Sequence, residues 1–366
     1  MKVALVHEFL TQLGGAERVL ETFHEFFPEA PVYTLIYDPA KTRGIFDEWD
    51  VRTSFLQKFP AIPKHYKWYL PLMPKAIESF DFSGYDLVIS DSSAFAKGII
   101  TKKPTLHICY CHTPTRYLWE SLDEYVDSQP YPKIIKAALR LYLKKNLKKW
   151  DLKASKRPDF IIANSETVRD RIRKYYSRES EIIPPPVDTD FFKPVSPKSD
   201  FFFTASRLEP YKKIHLVVEA FKRLGLPLKV AGDGTELASL KEIGGPTVEF
   251  LGKVTDEKLR ELYSQARAFV FPPYEDAGIM PLESLACGTP VIGLSSGGTA
   301  EFIKDRETGV LFAKQNVESI AQAVKKFETL YFDPAKLRAN ALPYSKQNFA
   351  NSIQNFLNRV LKQGTT

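Results

Sequence analysis

Apolar positions along the chain fall into short continuous runs separated by longer stretches with helical spacing. Runs that read as buried strands occur at Val3 to Val6, Val32 to Ile36, Leu87 to Ser90, Leu106 to Cys109 and Phe160 to Ala163. A second set follows at Phe201 to Ala205, Lys229 to Ala231, Phe250 to Val254, Ala268 to Phe271 and Pro290 to Gly293. Helical stripes lie between them, such as Val19, Leu20, Phe23 and Phe26-Phe27, then Leu216 to Leu224, and Asp256 to Ala266 behind a Thr255 cap. The last stripe, Ser345 to Lys362, places Phe349, Ile353, Phe356, Leu357 and Val360 on one face. Strand and helix alternating in this way predict an α/β protein with a parallel sheet in each half. Five prolines between Pro184 and Pro197 mark the boundary. The expected domains are 1–197 and 198–344, followed by a terminal helix over 345–366.

Length supports the division, because 366 residues exceed what one hydrophobic core usually serves. With 44% apolar and 26% charged residues the composition is ordinary for a globular chain. A formal charge of +7 favours an anionic partner: a nucleotide, nucleic acid or an anionic membrane surface. No nucleic-acid module or repeated basic-aromatic surface is present, so nucleic acid is set aside. The three cysteines, Cys109, Cys111 and Cys287, do not form a disulfide framework, and a reducing cytosol is expected. Met1 runs directly into a strand pattern, and no apolar run approaches the ~20 residues of a membrane span. The expectation is a cytoplasmic protein, soluble or peripheral on the inner face of the membrane.

Two segments break the alternation. Phe55 to Phe80 is rich in proline, aromatics and lysine and has no clean period. It reads as a packed loop with its own aromatic cluster, or as a surface on which Trp68, Tyr69 and Leu70 meet an amphiphilic ligand. Pro132 to Arg157 carries ten lysines and arginines against the single acid Asp151. Its stripe of Ile135, Leu139, Tyr142, Leu143, Leu147 and Trp150 fits a docked helix with a solvated basic face. It equally fits a helix lying on anionic lipid, which makes 133–157 the candidate membrane contact.

Candidate chemistry gathers where strands end. Gly14-Gly15 lies between the first strand and its helix, either as a backbone cradle for phosphate or as a plain tight turn. His112 ends another strand in Tyr110-Cys111-His112-Thr113-Pro114. A metal site built from Cys109, Cys111 and His112 would lack a fourth ligand, so no metal is expected. In the second half Arg207 and Lys212 flank a loop, a pair of cations suited to a diphosphate leaving group. The stretch FVFPPYEDAGIMPLESLACGTPVIG, Phe269 to Gly293, sets Glu275 and Glu283 across a strand-loop-helix turn. Pro281 suits the first helical position there, which leaves Met280 as a cap unable to form a capping box with Glu283.

As a set, these residues resemble the family 4 retaining glycosyltransferases. The matching motifs are E-x7-E at Glu275 and Glu283, S-R-L-x-P-x-K at Ser206 to Lys212, G-D-G at 232–234, A-x-G-T-P-V-I from Ala286 and G-G-x-x-E at 297–301. The opening VHEFLTQLGGAERV, the segment YCHTPTRYLW and the turn NSETVRDRI are similar to the mannosyltransferase-like members. The resemblance implies two Rossmann-like domains facing a cleft, the GT-B architecture, with the last helix crossing back onto the N-terminal domain. It implies a nucleotide-sugar donor, GDP-mannose first and a UDP-sugar as alternative, and no cofactor. Arg207 and Lys212 would hold the diphosphate with Gly14, Gly15 and the backbone of Gly278, Ile279 and Met280. Glu283 would take the ribose, and Gly252, Lys253 and Val254 the base. Glu275 would hold the transferred sugar, with His112 beside its anomeric carbon. The acceptor expected is a saccharide or a lipid-linked saccharide. Ala277 departs from the family pattern, which commonly has Phe there, and widens the space near the sugar. An epimerase of the same fold explains the donor motifs but not the basic stretch, and an NAD enzyme would need the G-x-G-x-x-G that is missing after the first strand.

Overall fold

The computed structural model describes residues 1–363. Contacts divide the chain into two compact units, Met1–Pro184 and Pro185 onward. The boundary therefore lies upstream of the expected 197/198, because Val187 and Phe192 are buried in the core of the second unit.

The first unit contains a seven-stranded sheet built from β1 (Val3–Leu10), β2 (Val32–Tyr37), β3 (Val51–Thr53), β4 (Leu87–Ser92), β5 (Leu106–Cys111), β6 (Phe160–Ala163) and β7 (Glu181–Ile182). Its order is β3-β2-β1-β4-β5-β6-β7. The second unit holds β8 (Phe202–Ala205), β9 (Leu228–Ala231), β10 (Val248–Gly252), β11 (Phe269–Phe271), β12 (Val291–Leu294) and β13 (Gly309–Phe312), in the order β10-β9-β8-β11-β12-β13. The pairings within both sheets are parallel. Each sheet reverses its winding once, between β1 and β4 and between β8 and β11. Open parallel sheets bind ligands outside the carboxyl ends of the strands at that reversal.

Because both faces are covered, the strands read as unbroken apolar runs. β1 continues past Val6, where the sequence suggested a stop, and carries His7 and Glu8 into the buried sheet. The Phe55–Phe80 excursion is a packed segment of short helical turns. Tyr66 meets Phe9 at a ring separation of 4.9 Å, and Tyr69 meets Phe59 at 5.2 Å. Leu70 is buried, as the packed-loop reading expects, whereas Trp68 is exposed.

The basic stretch is a helix, Lys133–Tyr142, then a π-helical turn, Leu143–Leu147, then a helix, Lys148–Ala154. Leu143 and Leu147 dock on the core, but no residue of Lys133–Tyr142 is buried. Ile135 from the expected docking stripe is exposed, and a second apolar face opens beside it: Ile134 is 81% exposed and Leu141 55%. The terminal helix, Lys346–Gln363, buries Phe349, Ile353, Phe356, Leu357 and Val360, the five residues its stripe predicts.

Candidate active site

At the winding reversal of the first sheet, four ionisable side chains from three strands and one helix form a chain. The turn after β1 leads through Gly14 into the helix Gly15–Phe26, whose first turn carries Glu17. Glu17 Oε1 lies 3.5 Å from His7 Nε2, and His7 Nδ1 is 2.8 Å from Asp91 Oδ2. The other oxygen of Asp91 is 2.5 Å from His112 Nε2. His7, Glu17 and Asp91 are buried, and His112 is the most exposed of the four, at 12%. Burial opposes charge on both imidazoles, yet Asp91 and Glu17 hold His7 well above its ordinary value, and Asp91 raises His112. Burial likewise opposes charge on the carboxylates, but the charge and hydrogen bond of His112, with those of His7, lower Asp91, and His7 lowers Glu17.

The turn after β4 is fixed by a third acid. Glu8 Oε1 accepts from Ser92 Oγ at 2.9 Å and from the N–H groups of Ser93, Ala94 and Ala96 at 2.9, 2.7 and 3.1 Å. The loop beyond His112 is tied to the basic stretch through Asp151. That buried carboxylate pairs with Lys97 at 2.7 Å and accepts from Thr115 Oγ1 at 2.6 Å, Trp119 Nε1 at 2.7 Å and the Tyr176 hydroxyl at 2.9 Å. Among the described residues no His, Cys, Asp and Glu group has the arrangement of a metal site.

In the second unit the loops after β8, β9, β10, β11 and β12 converge. The G-D-G turn fits only as glycine: a Cβ on Gly232, whose φ is +129°, would lie 1.9 Å from the Ser206 carbonyl oxygen. This contact presses the turn against Ser206-Arg207. The Gly232 N–H donates to the Gly252 carbonyl at 2.8 Å, which brings Gly252, Lys253 and Val254 to the same edge. Arg207 is exposed and donates to the Tyr211 hydroxyl at 2.9 Å, while Lys212 forms an ion pair with Glu275.

The loop holding Glu275 and Ala277 rests on Gly297-Gly298. The Gly298 N–H donates to the Glu275 carbonyl at 2.8 Å, and a Cβ on Gly298 would lie 2.5 Å from Ala277 Cα. The helix that follows is Ile279–Ala286, with Gly278 at its cap and no side-chain capping bond. It starts earlier than expected. Pro281 is third rather than first, still within the turn where an N–H has no helical partner. Gly278, Ile279 and Met280 therefore present backbone N–H groups at a positive helix end. Glu283 is fifth, buried, with the Tyr263 hydroxyl at 3.3 Å, so a capping box is excluded by position.

Arg207, Lys212, Glu275, Ala277, Gly278, Ile279, Met280, Gly252, Lys253 and Val254 thus gather at the strand ends of the second unit. Gly14, Gly15 and His112 gather in the first. Sequence reasoning missed His7, Glu8, Glu17 and Asp91. The available signal is polar: His7, Glu8 and Asp91 lie within strand runs, and Glu17 in the first turn of the helix after β1.

Two family models match the chain in tandem. Glycosyltransferase Family 4 covers residues 13–191, and Glycosyl transferases group 1 covers residues 187–347. Among similar sequences, a D-inositol 3-phosphate glycosyltransferase of Mycobacteroides abscessus is 27% identical over 192 residues, 45% of this chain and 43% of that protein. A glycogen synthase of Mycobacterium tuberculosis is 32% identical over 37% of this chain and 34% of its own. The chain spans less than half the length of these relatives. Sucrose-phosphate synthase from Thermosynechococcus elongatus shares the fold with a TM-score of 0.76 at 17% identity, over 99% of this chain and all of that one. Anabaena Alr3699/HepE in complex with UDP and glucose does so with a TM-score of 0.70 at 18% identity, over 98% and 99%.

Proposed function

Because the chain is a family 4-like glycosyltransferase of the GT-B type, we propose that it moves a hexose from a nucleotide sugar to a saccharide or lipid-linked saccharide, with retention at the anomeric carbon. The observation that carries this reading is the arrangement around Glu275. A carboxylate that can hold sugar hydroxyls is paired to Lys212, beside Arg207 and an uncapped helix end that suits a diphosphate.

In this reading the bond from the anomeric carbon to the diphosphate oxygen breaks first. Negative charge growing on the leaving group meets Arg207, Lys212 and the N–H groups of Gly278, Ile279 and Met280. The acceptor hydroxyl attacks the same face, its oxygen bonds to the anomeric carbon, and its proton passes to the departing diphosphate. Glu275 and His112 hold the sugar as positive charge spreads over the ring and its anomeric carbon. Glu283 and Gly252 to Val254 take the ribose and base, and Gly14 and Gly15 contribute backbone contacts. The two cations supply the counter-charge, so transfer proceeds without a metal. Mannose from GDP-mannose is the donor assigned. A uridine donor is the second reading, favoured by the UDP and glucose bound in the similar Anabaena structure.

The acceptor's lipid carrier would bring the enzyme to a membrane surface. The exposed Ile134 and Leu141, set among Lys133, Lys144 and Lys145, give an apolar face with a basic rim suited to anionic lipid. Among the described residues no helix is long and apolar enough to cross a membrane.

The test is a thermal-shift and nucleotide-release screen with GDP-mannose and UDP-glucose. A rise in Tm with one donor, and release of its diphosphate on adding acceptor, is expected. No shift and no release with either donor would defeat the proposal.

A further inference from the structure

The chain from Glu17 to His112 has features that an ordinary buried histidine does not need. Its charges alternate from carboxylate to imidazole to carboxylate to imidazole, and every junction lies within 3.5 Å. Asp91 is shared by two rings, one on each oxygen. The far end packs close to the Gly14-Gly15 turn, where a Cβ on Gly14 would sit 3.0 Å from Glu17 Oε2. The last member, His112, is the most exposed. With Nε2 held by Asp91, the nitrogen left for a ligand is Nδ1.

We propose that Glu17, His7 and Asp91 are positioning residues for His112, a buried chain of alternating charge that keeps its imidazole cationic and turns Nδ1–H toward the transferred sugar. This rests on the reading above that His112 touches that sugar. The physical reason for four members rather than two is charge balance. Asp91 alone, in a low-dielectric interior, would pair with one imidazole and be neutralised by it. Glu17 balances His7, which leaves Asp91 free to balance His112. The other groups facing the chain are Glu8 from β1, which lies close enough to favour the charged His112, and Tyr110 from β5, whose ring centroid is 5.4 Å from that of His112. A fixed cationic donor suits this place, because a hydrogen bond from a charged donor is shorter and stronger than one from a neutral imidazole.

The experiment uses the full chain with 15N-labelled histidine. NMR titration of the wild type, Asp91→Asn, His7→Asn and His7→Leu is paired with initial-rate kinetics. In the wild type both ring nitrogens of His112 should carry protons at neutral pH. In Asp91→Asn its midpoint should fall by about one to three pH units, and transfer should recover as the pH is lowered. His7→Leu should lower kcat by about 10–100-fold with the donor KM unchanged, as expected when a contact group is misplaced. His7→Asn keeps an N–H for Asp91 and should transfer within about threefold of wild type.

A neutral His112 in the wild type at pH 7, a midpoint equal in wild type and Asp91→Asn, or a His7→Leu protein at the wild-type rate would each overturn the proposal. If the wild type releases no diphosphate from any donor, the functional reading fails on its own. The titration still decides whether the chain holds His112.

Discussion

The two sheets wind alike, apart from one extra edge strand in the first, and place their polar groups at the same reversal, yet they hold charge in opposite ways. In the first unit the buried ion pairs are made within the protein: Lys97 pairs with Asp151, and the contacts from Glu17 to His112 join side chain to side chain. In the second, Arg207 stands exposed beside Tyr211, the helix end at Gly278 has no side-chain cap, and Lys212 faces Glu275. The first arrangement is pre-paired and rigid without ligand. The second is completed by whatever anion and polyol it receives. A side chain that must be aimed is worth burying, whereas a site that must release a doubly charged product is better left partly open.

The largest effect should come from opening a closed pair. Replacing Lys97 by Met leaves Asp151 buried with hydrogen bonds but no counter-charge, at a cost of about 3–5 kcal/mol. All four tryptophans, Trp49, Trp68, Trp119 and Trp150, lie in the first unit, so tryptophan fluorescence in urea reports that unit alone. A Lys97→Met protein with the wild-type midpoint would break the contrast.

In the second unit the expected loss is catalytic. Glu275→Gln should reduce transfer by about 10²–10³-fold while the tryptophan-reported midpoint stays put. A midpoint that moved with it would mean Glu275 is structural.

Acidity separates the units next. Asp91 and Glu17 are held low, so their contribution is present above about pH 4 and fades as pH falls through their folded values. His7 and His112 are held high, so theirs is complete below about pH 6.5 and is lost as pH rises through the folded values. All four contribute between those limits, and the first unit's urea midpoint should peak there and decline on the alkaline side. A midpoint flat from pH 5 to 8 would show the chain to be uncharged.

The smallest effect on stability belongs to the exposed face. Ile134→Ser with Leu141→Ser should change stability by no more than about 0.5 kcal/mol, while reducing flotation with vesicles of anionic lipid. Unchanged flotation would remove the membrane role from the Lys133–Tyr142 helix.

Much of this was legible in the sequence. The strands, the G-D-G turn, the loop at Glu275 and the apolar face of the last helix are local patterns, and each announces itself within a few residues. The charge chain is not local: His7 and Asp91 are 84 residues apart and meet only because β1 and β4 pair. A buried polar residue looks, in one dimension, like the end of a strand, so the apolar run of β1 ends at Val6 while the strand itself continues to Leu10. The helix start at Ile279 was misplaced for a related reason. Proline is tolerated anywhere in the first turn, so Pro281 alone could not fix the position. In the basic stretch the stripe holds from Leu139 onward, with Leu139 and Tyr142 half-buried against the core, and lapses at Ile135.

The basic stretch is interrupted by the π-helical turn at Leu143–Leu147. A turn of this kind accommodates one residue more than a regular helix, and each residue advances the helix by about 100°. Everything upstream is thereby rotated against everything downstream. Trimming a single residue from Leu143–Leu147 would swing Ile134 and Leu141 around the axis while leaving the composition of the arm untouched. The turn sets the phase between the two helices, so that the upstream one holds Leu139 and Tyr142 against the core while its other side offers Ile134 and Leu141 with a basic edge.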